Sequence, residues 1–216
     1  MTETRSYTVV RFIIVRHGLT TFNKEHRYQG QFEAPLDEIG IRQAEITAEH
    51  IARTYHIDAI YASDLQRTVN TAKKPADLLG LPINTSKALR EISVGGWEGR
   101  LVKEVWAESP ERVDAYRNDP GTFRFEGGES FAEVYDRASA FLDEVARKHD
   151  GENVLIVSHG GVIRSLICVW SGVPLRDLKT VAVLPNTSIT VAEYENGSVR
   201  FPLVGDNSHL PEELRT

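Results

Sequence analysis

Three unbroken apolar runs, each rich in β-branched residues, recur along the chain at Val9 to Val15, Ile57 to Ala62 and Val154 to Val157. Strands that are buried on both faces of a parallel sheet show this continuous pattern. Between the runs, apolar residues recur at the spacing of amphipathic helices, at Ile41, Ala44, Ala48, Ile51 and Tyr55 and again at Phe131, Val134, Ala138, Phe141, Leu142 and Val145. The alternation predicts an α/β fold, a three-layer α/β/α sandwich with a mostly parallel sheet.

Polar residues predict where two of the helices begin. Ser130 and Glu133 form a capping-box pattern immediately before the later helical segment. Ser63 and Gln66 form a similar pattern after the second apolar run. In such a box the hydroxyl and the longer side chain each bond the other residue's backbone N–H, which stabilises the first turn.

A β-hairpin is predicted near the end of the chain. Asn196-Gly197 is a strong turn signal, and the apolar stretches 189–194 and 199–204 flank it. The hairpin would add an antiparallel edge to the sheet. An exposed edge invites pairing with a second copy, so a homodimer is left open.

The segment from Trp97 to Phe125 interrupts the alternation. It contains short helical pieces, which Ser109-Pro110 separates and Pro120-Gly121 follows, and its strand signal is weak. Long segments of this kind often form lids over functional sites. We therefore predict a helical insertion over about 97–125 that covers one end of the sheet. The alternative is a connector with no role in substrate choice.

Length and composition fit one domain over residues 1–216, which contains that insertion. The chain has 216 residues, of which 41% are hydrophobic and 26% charged. Its apolar runs are far shorter than the ~20 residues of a membrane helix. The first ten residues, MTETRSYTVV, lack the sections of a signal peptide. We expect a cytoplasmic protein.

The charge and motif content of the sequence argue against several classes of ligand and partner. The formal net charge of -6 argues against nucleic acid and membranes, so any anion site needs a local concentration of positive charge. Cys168, the only cysteine, lies in the apolar run SLICVW, which excludes an intramolecular disulfide and favours burial. No P-loop, HExxH motif or cysteine-rich spacing is present. We expect neither a metal nor a cofactor.

The three predicted parallel strands end in VRHG, ASDLQR and VSHGG, which bring Arg16 and His17, Arg67, and His159. Because the carboxyl ends of parallel strands meet at one edge of a sheet, these side chains should converge there. Two guanidiniums and two imidazoles favour a tetrahedral dianion, since the planar fork of arginine matches phosphate oxygens. The expected ligand is a phosphate monoester, whose charge the arginines would neutralise in place of a metal ion.

Taken singly, each residue has a simpler interpretation. A histidine at a strand end is more often structural than nucleophilic, and Arg67 fits an exposed position on the helix LQRTVNTA. Glu91, in LREISVGGWEG, fits a solvated loop carboxylate equally well. The coincidence of several motifs weakens these simpler interpretations.

Five motifs, in this order and spacing, resemble the phosphoglycerate-mutase-like branch of the histidine phosphatase superfamily: IVRHGLTTFN, SDLQRTVNTA, LREISVGGWEG, GGES and VSHGG. The resemblance spans roughly Phe12 to Leu210 and implies a phosphoglycerate mutase-like fold. It implies that His17 becomes phosphorylated and that Glu91 is the proton donor. The resemblance also implies that the phosphoryl group is held by Arg16, Arg67, His159, Asn23 and the backbone of Gly160, and that Gln29 and Gly30 line the substrate side of the pocket.

His17 must attack phosphorus as a neutral imidazole. We expect the adjacent charges of Arg16 and Arg67 to lower the pKa of His17, because they disfavour a third positive charge. Its other ring nitrogen should donate to a backbone carbonyl, which would fix the attacking tautomer.

The resemblance favours a metal-independent phosphatase of small phosphorylated metabolites that acts through a phosphohistidine. Family mutases typically carry a basic RHYG-like segment, which EISVGGWEGRLVKEV lacks. Phosphoserine, α-ribazole phosphate or a broad range are the substrate options, and a cofactor-dependent phosphoglycerate mutase or a non-catalytic phospho-ligand binding protein is the alternative. Substrate contacts stay open for Ser93, Trp97, Trp106, Tyr116 and His209, although packing is the commoner role of aromatic residues.

Overall fold

The computed structural model describes residues 9–195 and 197–216. The strands in this part of the chain are β1 (Val10–Arg16), β2 (Ala59–Ser63), β3 (Ile83–Ser86), β4 (Asn153–Ser158), β5 (Ile189–Glu195) and β6 (Ser198–Asp206). They form one sheet in the order β3-β2-β4-β1-β5-β6, in which the first four are parallel and the last two antiparallel. The mostly parallel sheet is confirmed, and β3 is an edge strand that the apolar pattern did not reveal.

The helices flank this sheet. In chain order they are α1 (Thr21–Lys24), α2 (Glu38–Thr54), α3 (Gln66–Leu79), α4 (Val102–Glu108), α5 (Pro110–Asn118), α6 (Phe131–Lys148) and α7 (Gly160–Trp170). Short 3-10 helices occupy Lys87–Leu89, Gly95–Trp97, Leu175–Thr180 and Glu212–Leu214.

Alternate residues of β1 are buried on opposite faces of the sheet. Phe12 and Ile14 belong to a core with apolar residues of α6 and α7, whereas Ile13 and Val15 belong to a second core with residues of α2 and α3. A strand buried on both sides must be apolar at every position, which explains the unbroken run. The predicted three-layer α/β/α sandwich is confirmed.

Strand register brings the carboxyl ends of the central strands level with one another. Arg16, the last residue of β1, lies opposite Ser158, the last residue of β4. Ala62 of β2 lies opposite Val157 of β4, one residue earlier. Whatever follows these strands therefore emerges at one edge of the sheet.

One predicted helix start is confirmed and the other is wrong. The Ser130 hydroxyl accepts from Glu133 N–H (3.3 Å), and the Glu133 carboxylate accepts from Ser130 N–H (2.8 Å), so the capping box is present. Ser63 is instead the last residue of β2, and its hydroxyl accepts from Leu65 N–H (3.3 Å). Because β2 extends through Ser63, α3 begins only at Gln66, after an N-cap Leu65 that has no side-chain acceptor.

The hairpin forms as predicted. β5 pairs with β6 across the turn, where Gly197 has a positive φ of 83°, while Asn196 itself lies outside the described residues. Within residues 97–125 the short helical pieces are α4 and α5. Of the segment MTETRSYTVV, the first eight residues are likewise outside the described part, and no helix in the rest is long and apolar enough to cross a membrane.

The C-terminal segment is held against α2 by a pair of stacked histidines. The rings of His50 and His209 lie 4.9 Å apart with an interplanar angle of 25°, and His209 Nε2 is 2.8 Å from the Thr47 hydroxyl. Burial, followed by the charge of His50, lowers the pKa of His209 to about 4. His209, one of the residues whose substrate contact was left open, thus packs on α2.

This stack predicts a pH-dependent stability. Because the folded-state pKa of His209 lies below its unfolded value of about 6.5, its contribution is fully present above pH 6.5 and is lost as pH falls towards 4. We expect the contribution of His209 to the free energy of unfolding to decrease by roughly 1–2 kcal/mol over this range, after allowance for solvent screening of a half-exposed group. The lowered pKa values of His17 and His159 change the stability in the same direction, so the His209 contribution is the difference between variant and wild type.

Urea unfolding measured from pH 7 to pH 4 tests this. His209→Gln should flatten the slope, while His56→Gln, at a histidine whose side chain is 82% exposed, should leave it as in the wild type. Equal slopes for His209→Gln and the wild type would refute the assignment.

Candidate active site

The three strand ends bring the predicted side chains together. His17 follows β1 directly, His159 follows β4 as the N-cap of α7, and Arg67 lies in the first turn of α3 after β2. The two imidazole centroids are 5.2 Å apart. The expected convergence at one edge of the sheet is therefore what the geometry shows.

His17 is buried and its orientation is fixed. Its Nδ1 lies 2.8 Å from the Gly18 carbonyl, which can only accept, so Nδ1 carries the proton and Nε2 has the free lone pair. The backbone around it is fixed as well: His17 N–H donates to Ser158 O (3.0 Å), and His17 O accepts from Asn186 Nδ2 (2.9 Å). The tautomer expected from the sequence is the one present.

Burial, and after it the charges of Arg67 and Arg16, hold the pKa of His17 well below its usual value. The Gly18 carbonyl acts in the opposite direction but more weakly. The ring is consequently neutral at physiological pH. The neighbouring arginines that the sequence identified contribute to this effect, although desolvation is its main cause.

Arg67 is fully buried, and its guanidinium is held by backbone carbonyls. Nη2 donates to Gly30 O (2.7 Å) and Nη1 to Phe32 O (2.9 Å). Burial lowers the pKa of Arg67 to about 10, and since this value is still well above 7 the guanidinium is charged at neutral pH. Gly30, predicted to line the substrate side, has a φ of 51° and presents its carbonyl to Arg67, while Gln29 Oε1 accepts from the Thr20 hydroxyl (2.9 Å).

Arg16 approaches the same spot from the other side. One of its terminal nitrogens donates to the Leu184 carbonyl, and its Nε lies against the start of α7. A Cβ on Gly160 would come within 3.3 Å of that Nε, so glycine lets the backbone approach the guanidinium closely. Burial lowers the pKa of Arg16.

Four buried nitrogens in this cluster have no hydrogen-bond partner in the described part of the chain: Arg16 Nε, Arg67 Nε and both ring nitrogens of His159. Buried polar atoms are nearly always hydrogen-bonded, so a concentration of exceptions indicates a site built for a ligand with acceptor oxygens. Burial, followed by the charge of Arg67, also lowers the pKa of His159 well below its usual value.

Glu91 faces this cluster from the loop after the first 3-10 helix. Its carboxylate accepts from Gly161 N–H (3.1 Å) and from Ile92 N–H (2.9 Å). The negative charge of Glu91 partly offsets the lowering of the pKa of both Arg16 and Arg67 by burial, which places it within electrostatic range of the two guanidiniums. It is therefore not the solvated loop carboxylate of the simpler interpretation.

An ion pair that the sequence reasoning did not identify supports Glu91. Glu129, in GGES, binds Arg137 through two contacts of 2.8 and 3.0 Å and accepts from Ser93 N–H (2.9 Å). Arg137 Nη2 then donates to the Glu91 carbonyl (3.1 Å). Gln31 Nε2 donates to the same carbonyl (3.1 Å). The main chain at Glu91 is thus held from two sides.

Asn23 lies beside the cluster in α1, and Asn186 is a neighbour that the sequence reasoning missed. Asn23 Oδ1 accepts from the Thr20 hydroxyl (2.9 Å) and lies 3.5 Å from Asn186 Nδ2. Asn186 precedes β5, which is antiparallel to β1, so the start of β5 lies at the edge where β1 ends. That topological argument, applied to LPNTS, is the signal that would have found it.

The residues whose contact with substrate was left open lie in different environments. Trp97 is buried in a cluster with Tyr28, Tyr116, Phe123 and Phe125, so its role is packing. Ser93 is hydrogen-bonded to Glu98 through its hydroxyl (3.2 Å). Trp106 is 40% exposed, and its Nε1 donates to the Tyr28 hydroxyl (3.0 Å). Within the described residues, no group of three or more His, Cys, Asp or Glu side chains could hold a metal ion.

Comparisons with known proteins agree with this geometry. The family model described as histidine phosphatase superfamily (branch 1) matches residues 12–207. Phosphoserine phosphatase 1 of Hydrogenobacter thermophilus is 38% identical over 167 residues, covering 77% of this chain and 79% of that one. A metal-independent phosphoserine phosphatase of Arabidopsis thaliana is 33% identical over 204 residues, covering 94% and 84%. A Yersinia pestis relative, 35% identical over 208 residues and covering 94% and 95%, is named a probable phosphoglycerate mutase.

Solved structures show the same likeness. Bacillus stearothermophilus YhfR superposes with a TM-score of 0.87 at 32% identity, covering 93% of this chain and 98% of that one. A phosphoglycerate mutase of Bacillus anthracis superposes with a TM-score of 0.83 at 26% identity, covering 94% of this chain and 96% of that one, which confirms the phosphoglycerate mutase-like fold that the motifs implied.

Close packing between α7 and Glu91 yields a test of the carboxylate's position. A Cβ at Gly161 would meet Glu91 Oε1 at 2.4 Å, and the far end of that flexible side chain can move away. Gly161→Ala should therefore keep the fold but displace the carboxylate, and lower kcat/KM for a phosphomonoester by roughly tenfold to a hundredfold.

The matched control is Gly96→Ala, because a Cβ there meets nothing within 4 Å. Steady-state kinetics and thermal melting on both variants provide the comparison. A Gly161→Ala enzyme as active as Gly96→Ala would show that the Glu91 position does not matter for turnover.

Proposed function

The chain belongs to the histidine phosphatase superfamily, and from this premise we propose that His17 is its phosphoryl acceptor in the hydrolysis of small phosphomonoesters. The enzyme is a phosphoric monoester hydrolase. Its reaction is metal-independent in this proposal, because Arg16 and Arg67 supply the positive charge that a metal ion supplies in other phosphoryl-transfer enzymes.

The observation that carries the proposal is the group of unpartnered buried nitrogens around a neutral, oriented imidazole. Arg16, Arg67 and His159 have buried nitrogens without partners in the described part of the chain, and the Gly18 contact leaves Nε2 of His17 with the free lone pair. A tetrahedral phosphoryl group has the acceptor oxygens that these donors lack.

In the first step His17 Nε2 attacks phosphorus in line with the leaving oxygen, forming the N–P bond as the P–O bond breaks. Negative charge spreads over the three equatorial oxygens, where Arg16, Arg67 and His159 stabilise it. Asn23 and the Gly160 N–H add hydrogen bonds in this proposal. Loss of one well-placed donor lowers kcat by about 100- to 1,000-fold in comparable oxyanion sites.

Glu91 handles the proton in both steps. As the leaving alkoxide departs, the Glu91 carboxyl group gives it a proton. The resulting carboxylate then takes a proton from water, which attacks the phosphohistidine and releases phosphate. The contact of Glu91 with Gly161 N–H, at the start of the helix that follows His159, supports this assignment.

A phosphohistidine makes a direct prediction. His17→Ala should reduce turnover to background, since no other side chain in the cluster offers a free ring nitrogen oriented by a carbonyl. Rapid quenching of the wild type with radiolabelled substrate should trap one label per chain that is acid-labile and base-stable.

His56→Ala, at an exposed histidine, should retain both turnover and label. Turnover that survives His17→Ala, or a wild type that traps no label during steady turnover, would refute the covalent route.

Simple assays distinguish the proposed phosphatase from two alternatives, a phospho-ligand binding protein and a phosphoglycerate mutase. Hydrolysis of p-nitrophenyl phosphate that persists in EDTA is the expected result. Tight phosphate binding without turnover would indicate a phospho-ligand binding protein instead. The relative named as a probable mutase makes phosphoglycerate mutase the second candidate, and interconversion of phosphoglycerates that depends on a bisphosphoglycerate would indicate it.

A further inference from the structure

A cavity of about 210 Å³ beside the candidate active site has an unusual charge. Its lining combines three cations with apolar and aromatic surface and contains no acidic residue: Tyr116, Arg117, Pro120, Arg164, Leu178 and Lys179. A second cavity, between α2 and α3, is lined by Lys73 and Lys74 but also by Glu45 and Asp77. The first cavity thus concentrates positive charge without a carboxylate in its lining, in a protein whose net charge is -6.

Arg117 is held in place at the rim of this cavity. Its guanidinium carbon lies 4.5 Å from the centroid of the Trp106 ring, and Trp106 Nε1 donates to the Tyr28 hydroxyl (3.0 Å). The stacking leaves the guanidinium edges free to donate to a ligand. Tyr28 adjoins Gln29 in RYQG, so this chain of contacts connects α5 to the loop that carries Gly30.

Arg164 fixes the opposite wall. From α7, its Nε and Nη2 donate to the carbonyls of Val181 (3.2 and 2.8 Å) and Leu178 (3.0 Å). These bonds hold the segment that bears Lys179. Across the described ranges, none of Arg117, Arg164 and Lys179 forms an ion pair with a carboxylate.

Tyr116 connects the cavity to the reacting centre. It lines the cavity, and its hydroxyl lies within electrostatic range of both Arg164 and Glu91. Burial raises the pKa of Tyr116, so the hydroxyl stays a neutral donor. Arg164 in turn acts on Arg16, whose pKa is lowered chiefly by burial and also by this charge. Arg164 also lies on α7 one turn after Gly161, whose N–H donates to the Glu91 carboxylate, so the cavity wall and the candidate site share this helix.

We propose that Arg117, Lys179 and Arg164 bind a second acidic group, a carboxylate or another phosphate, on the phosphomonoester whose reacting phosphoryl group lies at His17. This inference rests on the proposed function. Positive charges without acidic partners gain most from an anion that brings its own charge, and charge-assisted hydrogen bonds are the strongest that a guanidinium makes. Substrates with a remote acid should thus be preferred over neutral analogues.

Two matched pairs of substrates isolate the effect of the second acidic group. Phosphoserine and phosphoethanolamine differ only by a carboxylate, as 3-phosphoglycerate and glycerol 3-phosphate differ by a carboxylate and a hydroxymethyl group. For the wild type we expect kcat/KM to favour the acidic member of each pair by at least about tenfold. In the double variant Arg117→Gln, Lys179→Gln this preference should fall to within about twofold of unity.

Arg112→Gln is the matched control. Arg112 also lies on α5 and also stacks on an aromatic ring, with its guanidinium carbon 5.6 Å from the Phe123 centroid, but it does not line the cavity. The Arg112→Gln variant should keep the wild-type preference for acidic substrates. This result would separate the loss of charge at the cavity from a general loosening of α5.

Three results would overturn the proposal without touching the phosphatase assignment, which hydrolysis of p-nitrophenyl phosphate by the wild type tests separately. The first is a wild type that shows no preference for the acidic substrates, and the second is a double variant that retains the preference. The third is activation of phosphoethanolamine hydrolysis by free malonate in the wild type but not in the double variant, because the cavity would then bind a separate anion.

Discussion

The burial of positive charge at one edge of the sheet is the constraint on which the rest of this structure depends. Arg67 is fully buried and Arg16 is partly buried with its Nε shielded from solvent, and taking a charged group out of water costs several kcal/mol unless its donors are satisfied. The fold offsets this with main-chain carbonyls from Gly30, Phe32 and Leu184 rather than with carboxylates. Carbonyls satisfy a guanidinium without cancelling its charge, so the full positive field remains for a dianion.

The same arrangement explains why the imidazoles are neutral. Desolvation and neighbouring guanidiniums both lower the pKa values of His17 and His159. The contact with the Gly18 carbonyl then determines that Nδ1 of His17 carries the ring proton. Glu129 acts on the Glu91 loop indirectly, through Arg137 and the Glu91 carbonyl. Glu91 lies within electrostatic range of both guanidiniums, and two backbone N–H groups orient it, while Glu33 and Glu98 act on Arg67 as well.

Much of this was predictable because strand burial and strand ends leave a clear pattern in the sequence. The run ending in Arg16 and His17 shows both the strand and the chemistry that follows it. β3 was not visible, since INTS is a half-exposed edge strand with one apolar residue. Ser63 was misjudged as a cap because a polar residue that ends a buried strand resembles one that starts a helix. Asn186 and the Glu129–Arg137 pair act through hydrogen bonds between segments distant in sequence, which periodicity does not encode.

Substrate choice was the least readable feature for a related reason. The phosphoryl-binding groups come from the ends of buried strands, whose positions relative to one another are fixed by register. The cationic cavity is built from α5, α7 and the 3-10 helix Leu175–Thr180, three elements that no strand pairing connects and that meet only in the folded chain. Each of its cations looks like an ordinary surface charge in the sequence. Chemistry carried by the sheet edge can therefore be inferred from sequence, whereas recognition of the leaving group must be inferred from the assembled helices.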